Sequence, residues 1–303
     1  MKKVIQTATL LFLLVVSGGT FAQSKADLTK KIQEITLGKK AVVGVAISDI
    51  KGKEILSING SKRFPMQSVF KFHIGLLMLS EIDKGKFSLE QKIEIPKKNL
   101  LPGLYSPIRD KYPEGATLTI AEILEYTVSK SDNVGCDALL LLLGGPQAVE
   151  GYFSKNGFKD VSIKINEEVM QNNWDLQFQN WTTPIAANEV LGSFFFNKKK
   201  LLSRKSYDFI WKIMKETETG MARLKGQLPE NTIVAHKTGW SGTNKATGIT
   251  AAVNDIGIVF LPNGQHFFIS VFVTDSKEDA ATNEKIIADI AKAGWDHFVR
   301  KTK

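Results

Sequence analysis

The stretch that most constrains the fold is residues 69–79, which are apolar nearly throughout and interrupted only by Lys71, His73 and Gly75. A run that is apolar on every side predicts a helix buried at the centre of the protein rather than one on its surface. Ser68 stands where this helix would begin, and Lys71 follows three residues later. Because residues three apart share one face of a helix, we expect the serine hydroxyl and the lysine amine to lie side by side.

This serine–lysine pair is a candidate nucleophilic site. Burial disfavours the charged form of a lysine, and a neutral amine beside a serine can take the hydroxyl proton. The N-terminal end of the helix would also favour the resulting alkoxide. A helix-capping serine followed by a lysine that reaches solvent would show the same spacing, so this stretch alone leaves both interpretations open.

The N-terminus predicts export. Met1-Lys2-Lys3 is followed by a mostly apolar run to Val16, and small residues lead up to Ala22. This is the pattern of a secretory signal peptide over residues 1–22, with cleavage after Ala22. No later run reaches the ~18 apolar residues of a membrane helix. We therefore expect a periplasmic protein that is monomeric and is not attached to a membrane after cleavage.

Composition argues against several kinds of partner. The chain has 303 residues and is 43% hydrophobic, enough for a large core or for two lobes sharing an interface. Its formal charge is +9, but the longest basic block is residues 198–200, without interleaved aromatics, so no nucleic acid partner is expected. The single cysteine, Cys136, excludes an internal disulfide and is predicted to be a small buried residue. The histidines lack metal-ligand spacing, and neither a metal nor another cofactor is predicted: His73, His236, His266 and His297.

Strand-like segments occur at both ends of the chain. Residues 41–47 and 54–58 are separated by an Asp-Ile-Lys-Gly-Lys turn and predict a hairpin. Further strands are predicted after Pro229, over residues 232–235, 247–253, 256–261 and 267–274. This distribution predicts one antiparallel sheet made from both chain ends.

The chain between these strands is mostly helical in pattern. Helices are predicted over residues 24–37, 69–84, 118–128, 137–143, from Pro146, from Thr183, over 204–215 and over 283–300. We therefore divide the mature chain into an α/β lobe, residues 23–62 plus 216–303, and an inserted all-helical lobe, residues 63–215. Residues 160–183 lack apolar periodicity and predict a long loop, which is usually functional in a compact protein.

Three further stretches could complete an acyl-transfer site. In Ser131-Asp132-Asn133, the hydroxyl could relay a proton to a leaving nitrogen and Asn133 could hold a substrate amide; the alternative is an ordinary helix-capping turn. In Asn166–Gln171, a carboxylate held near Ser68 could activate a water; the alternative is a pair of solvated loop acids.

The third stretch is His236-Lys237-Thr238-Gly239, after a strand-like run. Lys237 would supply a positive charge and Thr238 a hydroxyl for a substrate carboxylate, while Gly239 would let a ligand approach the backbone closely. The N–H groups of Trp240 and Ser68 could together form an oxyanion hole. Like each of the other stretches, K-T-G taken alone is too short to indicate a particular family or function.

Together the four stretches are far more specific than any one of them. S-x-x-K, S-D-N, a loop glutamate and K-T-G occur in this order and form the motif set of class A serine β-lactamases and penicillin-binding proteins. The sequence resembles class A serine β-lactamases over essentially the whole mature chain. Residues 166–181, with Glu-x-x-Met and Gln179-Asn180-Trp181, are most similar to the extended-spectrum branch of PER and VEB type enzymes.

The resemblance implies a fold and an activity. The fold is α/β (α+β), with a five-stranded antiparallel sheet flanked by helices and a helical lobe inserted. The activity is hydrolysis of β-lactam antibiotics through a serine acyl-enzyme, favouring cephalosporins, including oxyimino types. No cofactor is implied, and the partner is the small-molecule β-lactam.

The resemblance also implies catalytic roles. Ser68 would be the nucleophile, and Lys71 the proton acceptor or relay. Ser131 would pass a proton to the lactam nitrogen, and Glu167 would activate the water that hydrolyses the acyl-enzyme. Whether Lys71 or Glu167 is the base for acylation stays open. Among the substrate-binding residues, Tyr105 would wall the cleft, Asn133 would bind the side-chain amide and Gln171 would lie near the water. The carboxylate would be held by Arg223, Lys237 and Thr238. Gly239 would let the ligand approach the backbone, and Trp240 would form the edge of the pocket.

Three departures from the commonest family pattern stand out. Gln171 replaces the Asn that helps hold the deacylating water, and Trp240 replaces a small residue at the edge of the pocket. Ile165 and Asn180 replace the Arg and Asp that usually pin the loop, so its closure must depend on other contacts.

Two alternatives share the acylation residues. A penicillin-binding D,D-peptidase would be acylated without fast turnover, and a β-lactam receptor or inactive relative would not turn over at all. Glu167 is the residue that separates a β-lactamase from both, because it supplies the second half-reaction.

Overall fold

The structure is a computed structural model that describes the backbone of residues 16–300 and the side chains of residues 25–300. The helices are α1 (Val16–Thr36), α2 (Phe70–Asp83), α3 (Pro107–Lys111), α4 (Ile120–Val128), α5 (Asn133–Leu143), α6 (Pro146–Lys155), α7 (Glu167–Asn172), α8 (Pro184–Phe196), α9 (Arg204–Lys215) and α10 (Ala280–Arg300). The strands are β1 (Val42–Ser48), β2 (Glu54–Ile58), β3 (Phe64–Pro65), β4 (Lys92–Pro96), β5 (Gly115–Thr119), β6 (Val161–Ser162), β7 (Trp181–Thr182), β8 (Val234–Trp240), β9 (Val253–Phe260) and β10 (His266–Thr274).

The main sheet confirms the prediction that both chain ends build it. Its five strands lie in the order β2-β1-β10-β9-β8, and every neighbouring pair is antiparallel. Strands β1 and β2 come from the N-terminal part, and the other three come from the C-terminal part. One face packs against α1 and α10, and the other packs against α8 and the helical part of the chain. Short strands also lie in that helical part, where β4 pairs with β5, and β7 pairs with both β3 and β6.

The predicted signal peptide lies largely outside the described residues. Residues 1–15 are not described, and the predicted cleavage site after Ala22 falls within α1, which begins at Val16 rather than at the predicted residue 24. Among the described residues, none of the helices combines the length and the apolar character needed to cross a membrane.

The predicted strand over residues 247–253 is wrong for most of its length. Only Val253 is in a strand, and residues 243–250 form a turn instead. The side chain of Asn244 accepts the N–H groups of Ala246 and Thr247 at 2.9 and 3.2 Å, and Gly248 has φ of +68°. A side chain that bonds to nearby backbone competes with strand pairing, which explains the difference.

Two helix starts differ from the prediction because side chains cap them. Helix α4 begins at Ile120 instead of residue 118, since Thr119 and Glu122 form a capping box, and residue 118 belongs to β5. Helix α5 begins at Asn133 instead of residue 137, since the Asp132 carboxylate accepts the N–H of Gly135 at 2.8 Å. The second of these caps places the S-D-N stretch at a helix start.

Helix α2 is buried at the centre, as its composition predicts. Every residue from Phe70 to Ser80 is buried, including Lys71 and His73. The interior also contains Cys136, which is fully buried as predicted. Burial raises the pKa of its thiol well above the ordinary value, so Cys136 is inert.

The buried imidazole of His73 makes stability depend on pH. Burial beside Phe72 and Phe153 lowers the pKa of His73 from 6.5 to about 4. The folded protein therefore holds the neutral ring, and the stability it contributes is complete above pH 6.5 and lost as the pH falls towards 4. We expect a loss of roughly 3 kcal/mol in the free energy of unfolding over this range from this residue.

Denaturant unfolding at several pH values between 7 and 4 measures this loss. The His73→Leu variant fills the space of the imidazole with an apolar side chain and removes the titrating group. Its free energy of unfolding should therefore fall less over the same pH range. Parallel losses in the two proteins would assign the acid sensitivity to other groups.

Candidate active site

Ser68 lies in a 3-10 turn, residues 67–69, that leads directly into α2. Neither the turn nor α2 is capped by a side chain, so the helix-capping interpretation of Ser68 is wrong. The amine of Lys71 lies 2.9 Å from Ser68 Oγ, as the i, i+3 spacing predicts.

Lys71 has no access to solvent, so the interpretation as a solvent-reaching lysine is wrong as well. Its Nζ donates to the backbone carbonyl of Ser131 at 2.8 Å and to the side-chain oxygen of Asn133. It also lies 2.9 Å from Glu167 Oε1. One amine thus joins the candidate nucleophile, the S-D-N stretch and the loop glutamate.

The S-D-N stretch combines the two interpretations that its sequence allowed. Asp132 is structural, because it caps α5 and also accepts the N–H of Ile108 and the hydroxyl of Ser106. Ser131 and Asn133 face the cleft instead. Ser131 has φ of +62°, and its hydroxyl accepts from Lys237 Nζ at 3.0 Å.

The K-T-G stretch lies within a strand, not after one. Strand β8 runs to Trp240 and is the edge strand of the sheet, so one side of it borders the cleft. Lys237 is fully buried below the cleft. Burial, reinforced by the nearby Lys71, lowers the pKa of Lys237 well below its ordinary value. An anion bound beside Lys237 would favour the charged form of its amine.

Arg223 lines the cleft but is largely engaged by protein groups. Its Nη1 donates to the carbonyls of Gly239 and Asn254 at 3.0 and 3.1 Å, and its Nε pairs with Glu284 at 3.2 Å. These contacts brace the ends of β8 and β9. The binding of a substrate carboxylate by Arg223 stays a prediction.

Glu167 is the first residue of α7, so the segment that carries it is helical and the prediction of a plain loop is wrong. The side chain of Asn166 caps this short helix by accepting the N–H of Val169. The Asp137 carboxylate accepts the N–H groups of Glu167 and Glu168 at 2.8 and 3.0 Å. These contacts start the helix, and the Glu167 side chain is buried.

Asp137 and Thr219 are site residues that the sequence prediction missed. Burial raises the pKa of Asp137 to about 7, although the N–H groups of Glu167 and Glu168 act in the opposite direction. Its partners lie about thirty positions away, and no local pattern indicates them. The hydroxyls of Thr219 and Thr238 lie 2.6 Å apart, which also joins distant parts of the chain.

Asn180 supplies the contacts on which loop closure depends. Its side-chain oxygen accepts the N–H groups of Lys164 and Ile165 at 2.7 and 3.1 Å, and its amide donates to the Ile165 carbonyl at 2.9 Å. The side-chain amide of Gln67, the residue before Ser68, also donates to the side-chain oxygen of Gln177 in the loop at 2.6 Å. The loop is thus tied at its base and also to the residue before Ser68.

We expect Asn180→Ala to lower the free energy of unfolding by about 1–3 kcal/mol, because three buried backbone groups lose their partner. Turnover should also fall, since Glu167 is carried by the same loop. Asn180→Asp keeps both acceptor bonds but places a carboxylate oxygen against the Ile165 carbonyl in a fully buried site, so it should destabilise the loop as well. Denaturant unfolding and steady-state kinetics measure both effects.

The matched control is Asn173→Ala. Asn173 is exposed in the same loop and accepts only the local N–H of Asp175 with its side chain. Equal losses in the Asn173 and Asn180 variants would show that Asn180 is not the anchor.

The predicted residues converge on one cleft of about 590 Å³. Lys71 and Lys237 lie buried beneath it. Tyr105 and Trp240 are more than half exposed at its rim, and Gln171 lies with its amide against Gly103. Within residues 25–300, no group of three or more His, Cys, Asp or Glu side chains could hold a metal ion. The other predicted residues that line the cleft are Ser68, Ser131, Asn133, Glu167, Arg223, Thr238 and Gly239.

Fold and cleft together define the class of protein, and comparison with known proteins agrees. The chain belongs to the beta-lactamase enzyme family, whose model matches residues 27–298. It is a class A β-lactamase, a hydrolase that acts on β-lactams.

Its relatives include two enzymes of Pseudomonas aeruginosa. Beta-lactamase VEB-1 is 54% identical over 99% of this chain and 100% of its own length. Extended-spectrum beta-lactamase PER-1 is 42% identical over 99% of this chain and 96% of its own length. The crystal structure of TLA-1 extended-spectrum beta-lactamase superposes with a TM-score of 0.87 at 48% identity, covering 91% of this chain and 99% of that one. These similarities confirm the resemblance to the extended-spectrum branch.

Proposed function

We propose that this enzyme opens the β-lactam ring by attack of Ser68 and regenerates itself by hydrolysis of the resulting ester. The observation that carries the proposal is the position of Lys71 Nζ, 2.9 Å from both Ser68 Oγ and Glu167 Oε1. A neutral Lys71 amine can therefore take the proton that leaves the serine hydroxyl, whereas a charged Lys71 gives one of its own protons to Glu167 as it takes the serine proton. Both routes use contacts already formed in the free enzyme.

In the first half-reaction, Ser68 Oγ forms a bond to the lactam carbonyl carbon, and the carbon–nitrogen bond of the ring breaks. Ser131 passes a proton to the leaving nitrogen and recovers one from Lys237, which donates to its hydroxyl, or from Lys71, whose amine lies at the Ser131 backbone carbonyl. The 3.0 Å contact from Lys237 Nζ to Ser131 Oγ supports this relay. Thr238 and Lys237 hold the substrate carboxylate, with Arg223 bracing the strand behind them.

The developing negative charge on the carbonyl oxygen is stabilised by the N–H groups of Ser68 and Trp240. The N–H of Ser241 bonds to the carbonyl of Ala252, the residue before β9, and successive residues of a strand point their N–H groups to opposite sides. The N–H of Trp240 is therefore directed away from β9, towards the cleft. One such donor is worth about 3–4 kcal/mol of transition-state stabilisation in other enzymes.

In the second half-reaction, Glu167 takes a proton from a water that attacks the ester carbonyl. The carbon–oxygen bond to Ser68 breaks, the serine recovers its proton, and the product leaves with a new carboxylate. Glu167 is held for this task by Asp137 at the start of α7 and by Asn180 at the base of the loop.

A chromogenic cephalosporin tests the proposal. We expect rapid hydrolysis by the purified enzyme and none above background by Ser68→Gly, with any acyl adduct mapping to the peptide that contains Ser68. An adduct on another residue, or full activity in Ser68→Gly, would rule out Ser68 as the nucleophile.

We further propose a preference for cephalosporins, including oxyimino types. Two observations support it: the Asn180-anchored loop differs from the commonest family pattern, and PER-1 and TLA-1 both carry the description extended-spectrum. Ratios of kcat/KM for penicillins against oxyimino-cephalosporins test this, and a large penicillin preference would end it.

Export to the periplasm and a monomeric state are also proposed. The pattern of residues 1–22 supports export, and mass spectrometry of the protein secreted by a bacterial host would locate the N-terminus. Cleavage after Ala22 is expected. Size-exclusion chromatography with light scattering tests the monomer.

A further inference from the structure

Asn254 lies at the meeting point of two segments that come from opposite ends of the chain. Its backbone is directly opposite Gly239 in the β8–β9 ladder. Its side chain is 1% exposed and donates to the carbonyls of Pro65 and Met66 at 2.8 and 3.1 Å. Pro65 and Met66 lead directly to Ser68. The same residue therefore contacts both the strand that ends in Trp240 and the segment that ends in Ser68.

These two segments lie too close together for a side chain at position 239. A Cβ built on Gly239 would lie 2.5 Å from the Met66 carbonyl oxygen and 3.1 Å from the Cβ of Gln67. Glycine has no Cβ and therefore avoids both steric clashes. No residue larger than glycine fits at position 239 between the two segments. The amide of Asn254 makes the side-chain bond between β9 and the segment before Ser68, next to this close approach.

The segment before Ser68 needs such a restraint. Gln67 has φ of +47°, in the left-handed region that non-glycine residues rarely adopt. The Met66 carbonyl also accepts the N–H of Val69 at 3.2 Å, which closes the turn containing Ser68. A shift of Met66 would therefore carry the N–H of Ser68 with it.

We propose that Asn254 is a positioning residue that sets the distance between the N–H groups of Ser68 and Trp240. This inference rests on the proposed function, in which those two groups bind the carbonyl oxygen of the ester. Asn254 does not touch the substrate. It acts through Met66 on one donor and through its ladder pairing with Gly239 on the other.

Two substitutions remove this side-chain bond in different ways. In Asn254→Asp a carboxylate oxygen would face two carbonyl oxygens, so the segments should separate. In Asn254→Ala the bond is simply lost, and this variant covers the case in which the aspartate variant does not fold. We expect kcat/KM to fall by about 10–100-fold, since misplacing an oxyanion donor costs part of the 10²–10³ that deleting one costs.

The carbonyl stretching frequency of the acyl-enzyme distinguishes a positioning role from a structural one. If Asn254 only stabilised the fold, its loss would leave this frequency unchanged. Hydrogen bonds from two well-placed N–H groups weaken the carbonyl bond and lower its frequency. Each Asn254 substitution is combined with Glu167→Ala so that the ester persists, and the band is recorded by infrared difference spectroscopy with a cephalosporin. We expect the band to shift to higher frequency and to broaden in both double variants.

Asn188→Ala in the same Glu167→Ala background is the matched control. Asn188 is a buried asparagine on α8 that bonds the hydroxyls of Ser48 on β1 and Ser270 on β10, away from the edge strand β8. Its loss should lower stability and leave the carbonyl band in place.

The outcomes separate this inference from the proposed function. A normal ester whose band is unchanged in both Asn254 variants would overturn the inference alone. Absence of any ester on Ser68 in the Glu167→Ala parent would overturn the proposed function, and the inference with it.

Discussion

Replacing Glu167 by alanine is expected to stop turnover and to leave the enzyme covalently occupied by its substrate. Glu167 is the carboxylate nearest the nucleophile, joined to it through Lys71 at 2.9 Å on each side. In the proposed mechanism, Glu167 is the group that activates the water attacking the ester. General-base catalysis contributes roughly 10²–10⁴-fold, so kcat should fall by that factor. Intact-protein mass spectrometry would show the mass of one opened β-lactam added to the protein.

The neighbouring Glu168 provides a matched control. It has the same side chain and is exposed, and only its backbone N–H bonds to Asp137. Glu168→Ala should turn over normally and carry no lasting adduct. Normal turnover by Glu167→Ala would refute the assigned role. A lasting adduct on the unmutated enzyme would contradict fast deacylation and favour a peptidase-like acylation without turnover.

Replacing Lys71 by methionine is expected to have an equally large effect on the other half-reaction. Methionine keeps much of the apolar stem and removes the amine that contacts Ser68, Ser131, Asn133 and Glu167. Acylation should slow by about 10³-fold, judged from the size of general-base effects, and little adduct should form. Stopped-flow mixing followed by quenched mass spectrometry measures the acylation rate.

This variant also removes one partner of a buried ion pair, which typically costs about 3–5 kcal/mol of stability. Kinetics must therefore be measured where denaturant unfolding shows the variant to be folded. Lys84→Met, at the exposed end of the same helix, controls for the loss of a lysine. Rapid adduct formation by folded Lys71→Met would show that Glu167 alone can accept the serine proton. Taken together, an adduct that persists in Glu167→Ala and is absent in Lys71→Met would assign one half-reaction to each residue.

The local features of this protein were determined by its sequence. The apolar run that buries α2, the strands at both ends and the i, i+3 pairing of Ser68 with Lys71 all follow from periodicity and residue type. The order of the four short stretches, with their spacing, was specific enough to indicate the family. Each stretch and each element above is local because it depends on residues a few positions apart, and only the order of the stretches spans the chain.

Tertiary structure decided how the site is held. Glu167 lies at a helix start because Asp137, thirty positions earlier, accepts its N–H. The loop closes through Asn180, and Asn254 reaches Pro65 across 189 positions of sequence. Buried backbone groups must find hydrogen-bond partners, and many distant side chains could supply them. The sequence alone therefore does not indicate which side chains form these hydrogen bonds. Lys237 shows the same limit, since the sequence does not indicate that this lysine is fully buried near Lys71, and that burial lowers the pKa of its amine.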